Sequence, residues 1–133
     1  EQLDAELYAA VAALSDEAFP KDATDVYREA RDAVVRGLSG APIRFHVAEG
    51  ATYLFLDFSA ALESASVPDR ERTLLAILER AVDRGVLLAP GDAFGVHYAS
   101  FARLCYTAAP LDRVVLGAAR LCEAVDAFVR GKP

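Results

Sequence analysis

The sequence predicts an α+β domain, a small and mainly antiparallel sheet of three to four strands packed with helices. Apolar residues recur at helical spacing at both ends of the chain, extended apolar stretches lie between them, and helical stretches separate those strands. At 133 residues and 54% apolar composition the chain is long enough for one domain with a real core and too short for two. Residues 1–133 are therefore read as a single domain.

Leu3, Leu7, Val11 and Leu14 give a first helix whose apolar face has nothing local to cover it. Pro20 breaks the pattern, and a second helix is expected over residues 24–38, capped by Asp22 or Thr24, with Tyr27, Ala30, Val34 and Leu38 on its buried side. From Ile43 the period becomes extended: Ile43, Phe45 and Val47 alternate with Arg44 and His46. After the turn-like Glu49-Gly50, the run Thr52-Tyr53-Leu54-Phe55-Leu56-Asp57-Phe58 reads as a strand covered on both faces, near the middle of the sheet.

Pro68-Asp69 is expected to start a third helix, with Leu74, Ile77, Leu78, Ala81 and Val82 inward and Gly85 at its end. Val86-Leu87-Leu88 then reads as a short strand, Pro90-Gly91 as a turn, and Phe101-Ala102-Arg103-Leu104-Cys105-Tyr106 as another strand. Alternation puts Arg103 on the side of Phe101 and Cys105, opposite Ala102, Leu104 and Tyr106. Pro110 opens a last helix, whose stripe runs from Leu111 through Val114, Val115, Ala118, Leu121, Cys122 and Val125 to Phe128.

Charge and composition exclude several function classes. Fourteen basic against twenty acidic residues leave a net charge of -6, which repels nucleic-acid backbones and anionic lipid surfaces. No apolar stretch approaches the roughly 20 residues of a membrane helix, and the opening has no signal-peptide pattern, so a cytoplasmic location is expected. Cys105 and Cys122 read as small core residues rather than a disulfide framework. His46 and His97 are isolated from other candidate ligands, so no metal site is expected. The segment through Gly95 is no phosphate loop, since it lacks the Lys-Ser/Thr ending. The sequence has no methionine and opens inside an amphipathic pattern, which fits either a piece of a longer protein or loss of an initiator residue.

Arg103 carries the best clue to function. A guanidinium keeps its charge because its pKa stays above about 12, so in an apolar strand it needs an anionic partner from the protein or from a ligand. Asp57 and Asp92 are the candidates within the chain.

The order of elements, with Gly85-Val86-Leu87-Leu88-Ala89-Pro90-Gly91-Asp92-Ala93-Phe94-Gly95 ahead of the arginine strand, resembles the C-terminal small domain of class I/II aminotransferases, the fold-type I pyridoxal-phosphate enzymes. Tyr27-Arg28-Glu29-Ala30-Arg31-Asp32, Glu49-Gly50-Ala51-Thr52-Tyr53-Leu54-Phe55-Leu56-Asp57 and Ala102-Arg103-Leu104-Cys105-Tyr106 agree in the same order, so the resemblance spans nearly the whole chain. It implies that Arg103 binds the α-carboxylate of an amino acid or 2-oxo acid substrate and that Tyr53 lies near that substrate. Arginine suits the task because its planar fork donates two parallel hydrogen bonds to a carboxylate, fixing orientation as well as supplying charge.

The resemblance also implies pyridoxal 5'-phosphate in a parent enzyme, transamination as the commonest outcome, a homodimeric parent and a partner large domain. That large domain would hold the Schiff-base lysine, the acidic partner of the pyridine nitrogen and the phosphate cup. Of the two lysines here, Lys21 follows Pro20 in a polar break and Lys132 is next to last, and neither has a setting that lowers an amine's pKa. No catalytic and no cofactor-binding residue is therefore expected in this chain, which alone should be inactive. The alternative from another class is a free-standing, non-catalytic module that binds a small carboxylate or a protein partner.

Overall fold

The computed structural model describes residues 2–16 and 18–132. Helix α1 (Gln2–Ser15) leaves its apolar residues open, with Leu7 at 64% and Leu14 at 87% exposure. The expected apolar face thus lacks cover among the described residues, and the side chain of Leu3 lies outside them.

Helix α2 (Ala18–Leu38) begins well before residue 24. Pro20 sits in its first turn, where a missing N–H removes no helical bond, so the proline that was expected to break the pattern starts it. The Asp16 carboxylate accepts from the Ala18 N–H at 3.0 Å, and the Thr24 hydroxyl donates back to the Pro20 carbonyl rather than capping. Ala30, Val34 and Leu38 are buried, while Tyr27 is exposed, contrary to the expected stripe.

The sheet has four strands in the order β1-β2-β4-β3, all neighbours antiparallel: β1 (Arg44–Phe45), β2 (Tyr53–Asp57), β3 (Ala89–Pro90) and β4 (Phe101–Cys105). Strand β2 is interior, as its apolar character predicts, but only one of its faces is fully covered. Leu54, Leu56, Ala102 and Leu104 join Val34, Leu38, Ile77, Leu121, Val125 and Phe128 in the core cluster. Phe55 and Arg103, paired across the strands, lie on the half-covered face.

Asp57 ends β2 and starts the short helix α3 (Ser59–Ser64), its carboxylate accepting from the Ser59 N–H at 2.9 Å and from the Ser59 hydroxyl. Pro68-Asp69 opens only a single 3-10 turn, and helix α4 (Leu74–Asp83) starts later, where the Thr73 hydroxyl accepts from the Ala76 N–H at 3.2 Å. Leu74, Ile77, Leu78 and Ala81 point inward as the spacing predicts, and Val82 is exposed.

The expected strand at Val86-Leu87-Leu88 moves to Ala89–Pro90. Gly85, at φ 77°, ends α4 in a left-handed turn in which the Gly85 N–H bonds to Val82 and the Val86 N–H to Ala81. That cap uses the Val86 donor, Leu87 is 86% exposed, and of the three only Leu88 is buried in the core, with Val86 packed against its edge.

Helix α5 (Leu111–Val129) follows Pro110 and buries Val114, Ala118, Leu121, Val125 and Phe128, while Leu111, in its first turn, and Val115, at the edge of the expected stripe, are exposed. Cys122 is half-buried with its Sγ 3.4 Å from the Gly37 carbonyl oxygen, and burial, aided by Glu123, pushes its thiol pKa up. No helix among the described residues is long and apolar enough to cross a membrane.

Candidate functional site

Arg103 projects from β4 on the same face as Phe55 and Tyr53 of β2, the parity expected from strand alternation. With Phe94 and Tyr98 these residues line an open concavity of about 310 Å³. The guanidinium carbon of Arg103 lies 4.5 Å from the centre of the Tyr53 ring and 5.0 Å from that of Phe94. Both distances fall within the range where a ring face attracts a cation.

Among the described residues the Arg103 side chain makes no hydrogen bond and no ion pair. Neither intramolecular partner raised by the sequence pairs with it: the Asp57 carboxylate accepts from Ser59, and Asp92 makes no ion pair among the described residues. The site therefore presents a cation whose N–H edge has no acceptor among those residues.

The rings around it hold one another. Phe55 stacks on Phe101 at 5.0 Å between centres and meets Phe94 edge to face at 5.8 Å and Tyr98 at 5.2 Å. Tyr98 in turn meets the Phe101 ring edge to face at 5.5 Å. Phe94 reaches this cluster from the 3-10 segment Gly91–Phe94, which starts with a close backbone approach. A Cβ on Gly91 would run into the carbonyl oxygens of Tyr98 and Phe101, so only glycine lets this turn lie against the start of β4.

The start of β2 is fixed from the other end of β4. Tyr106 is buried, its N–H donates to the Thr52 carbonyl at 3.1 Å and its phenol to the Ala51 carbonyl at 2.5 Å. Burial raises the phenol's pKa, against a smaller lowering by Arg31. Ala51 itself has φ 65°, so the left-handed residue of the connection is Ala51 rather than the neighbouring Gly50. Arg31 steadies the same connection, donating to the Ala48 carbonyl at 3.1 Å while paired with Asp32.

Tyr53 and Arg103, the two site candidates in the sequence, are thus brought together, with Tyr53 at 43% exposure. Phe55, Phe94 and Tyr98 were not singled out. Strand parity with Tyr53 was the available signal for Phe55, whereas Phe94 and Tyr98 belong to a segment that reads as turn and loop. His46 and His97 are both exposed, and Cys105 lies within 3.5 Å of the Thr107 hydroxyl. The lining of the concavity, Tyr53, Phe55, Phe94, Tyr98 and Arg103, contains neither a lysine nor a carboxylate.

No family model and no curated protein matches the sequence. Solved structures do match. The aspartate aminotransferase from Rhizobium meliloti superposes with a TM-score of 0.74 at 29% identity, over 89% of this chain and 30% of that one. The α-aminoadipate aminotransferase from Thermus thermophilus, complexed with N-(5'-phosphopyridoxyl)-L-leucine, gives 0.68 at 21% identity over 89% and 30%. The valine-pyruvate aminotransferase from Salmonella typhimurium gives 0.65 at 24% over 87% and 29%. The chain thus spans under a third of the length of these enzymes, and its fold is similar to a small domain of theirs, which bears out the resemblance read from the sequence.

Proposed function

We propose, from the premise of that aminotransferase-like fold, that this chain is the C-terminal small domain of a pyridoxal-phosphate-dependent class I/II aminotransferase, in which Arg103 binds the substrate α-carboxylate. The observation that carries the reading is a half-buried guanidinium lining an open aromatic concavity, with no side-chain hydrogen bond or ion pair among the described residues. An amino acid or 2-oxo acid supplies the missing acceptor. Its two carboxylate oxygens take parallel hydrogen bonds from the fork, which sets the direction of the carboxylate-to-Cα bond as well as the distance. The surrounding rings limit water at the fork and strengthen the pair relative to one in bulk solvent.

Tyr53 flanks the bound carboxylate by its nearness to the same guanidinium. The lysine, the cofactor's acidic partner and its phosphate site come from a large domain outside this chain, and the parent is a homodimer. Given pyridoxal phosphate, an amino acid and a 2-oxo acid, the chain alone transfers no amino group.

The test is Arg103→Ala in the full-length protein that carries this chain. Loss of a bidentate, charge-assisted pair is expected to weaken apparent amino acid affinity by about ten- to a hundred-fold. Unchanged affinity overturns the assignment.

A further inference from the structure

We infer that Phe94, together with Tyr53, is a positioning residue for Arg103, holding the guanidinium as a cation while leaving its N–H fork free. This rests on the carboxylate reading above and goes beyond it by naming what aims the arginine. An arginine side chain is long and loses considerable rotamer freedom when fixed, so an arginine with a defined direction needs something to define it. The usual devices, an acid or a carbonyl oxygen, occupy the donors that a ligand carboxylate requires. Among the described residues none of them touches Arg103.

Ring faces act differently. They attract the charge of the guanidinium without accepting its edge hydrogens, so the fork stays available. Two rings lie at such distances, 4.5 Å for Tyr53 and 5.0 Å for Phe94. Tyr53 is carried by the strand next to β4, so its place follows from the sheet register. Phe94 belongs to no strand, and its place is set twice over: by the edge-to-face contact with Phe55 and by the Gly91 backbone approach that starts its turn. A ring held by two independent constraints, beside a cation with no acceptor among the described residues, is suited to fixing that cation's direction.

The test combines kinetics with a readout that needs no cofactor. In the full-length protein, loaded with pyridoxal phosphate, Phe94→Leu is expected to raise KM for the amino acid about ten-fold with kcat changed less than about two-fold, because aim at the carboxylate serves ground and transition states alike. Phe94→Tyr keeps a ring and restores KM. Since Phe94 acts through Arg103, Phe94→Leu adds nothing to Arg103→Ala.

On the chain itself, the Arg103 Nε–H resonance in nitrogen-15 NMR is expected to be displaced by the rings and to relax toward the ordinary arginine position in Phe94→Leu. Titration with 3-phenylpropanoate moves this resonance in the parent chain and moves it less in the variant. Should Arg103→Ala raise KM while Phe94→Leu changes neither KM nor the resonance, the positioning role is overturned and the carboxylate reading stands. Equal effects of Phe94→Leu with and without Arg103 also overturn it, as a merely structural contribution. An Arg103→Ala protein with unaltered KM removes both.

Discussion

Leu54, Leu56, Ala102 and Leu104, on one face of the sheet, are at most 8% exposed, whereas Tyr53, Phe55, Arg103 and Cys105, interleaved with them on the same strands, all remain partly open. The packed face is aliphatic and belongs to one core cluster with three of the long helices. The open face is aromatic around Arg103. Strand alternation thus separates a packed core face from an open face bearing the arginine at a spacing of one residue, and the effect of a substitution on stability is readable from its parity.

The sharpest challenge to this contrast comes from the packed face. Leu56→Ala is expected to lower unfolding free energy by about 2–5 kcal/mol in a denaturant titration, since Leu56 is fully buried. A smaller loss would mean that the face is less tightly packed than its exposure indicates. Gly91→Ala, which forces a Cβ against two carbonyl oxygens, should cost about 1–3 kcal/mol by the same measurement. It should also displace the Arg103 NMR signal, by shifting the turn that carries Phe94.

Tyr106→Phe leaves the Ala51 carbonyl without its phenol donor and is expected to cost about 1–2 kcal/mol. It also carries a pH signature. Burial raises the folded phenol's pKa, so the unfolded chain gives up this proton first as pH passes the ordinary tyrosine value of about 10. The contribution is complete below that pH and is lost as pH climbs through the raised folded value. Tyr106→Phe should flatten this part of the alkaline unfolding curve, and an unchanged curve would show that Tyr106 does not govern it. The smallest stability effect belongs to Arg103→Ala, under about 1 kcal/mol, because ring contacts alone are lost. Destabilisation comparable with that of Leu56→Ala would erase the distinction between the faces.

Much of this arrangement was legible in the residues because period and parity are local. The interior placement of β2, the side of the strand that Arg103 occupies and the centre of the buried stripe of α5 follow from spacing, whereas Leu111 and Val115 at the margins of that stripe stay exposed. Boundaries were less legible where one residue serves two purposes. Pro20 reads as a breaker but lies in the first turn of α2, and the Val86 donor reads as part of a strand but closes a helix. The cover on β2 was overestimated because aromatic residues suit a packed face and a lined concavity equally well. Phe94 escaped notice because its place depends on Gly91 meeting the backbone of residues 98 and 101, a contact with no periodic signature.

The tie that Tyr106 makes to Ala51 and Thr52 has a consequence for fidelity of assembly. Period-two strands are vulnerable to misthreading, and a slip of one position between β2 and β4 would turn the guanidinium toward the oily interior and push leucines into water. With backbone and phenol both fastened to consecutive carbonyls at the strand's edge, the misaligned arrangement forfeits two bonds at once. The tyrosine acts as a registration pin, committing the charged residue to the wet side as the sheet zips shut.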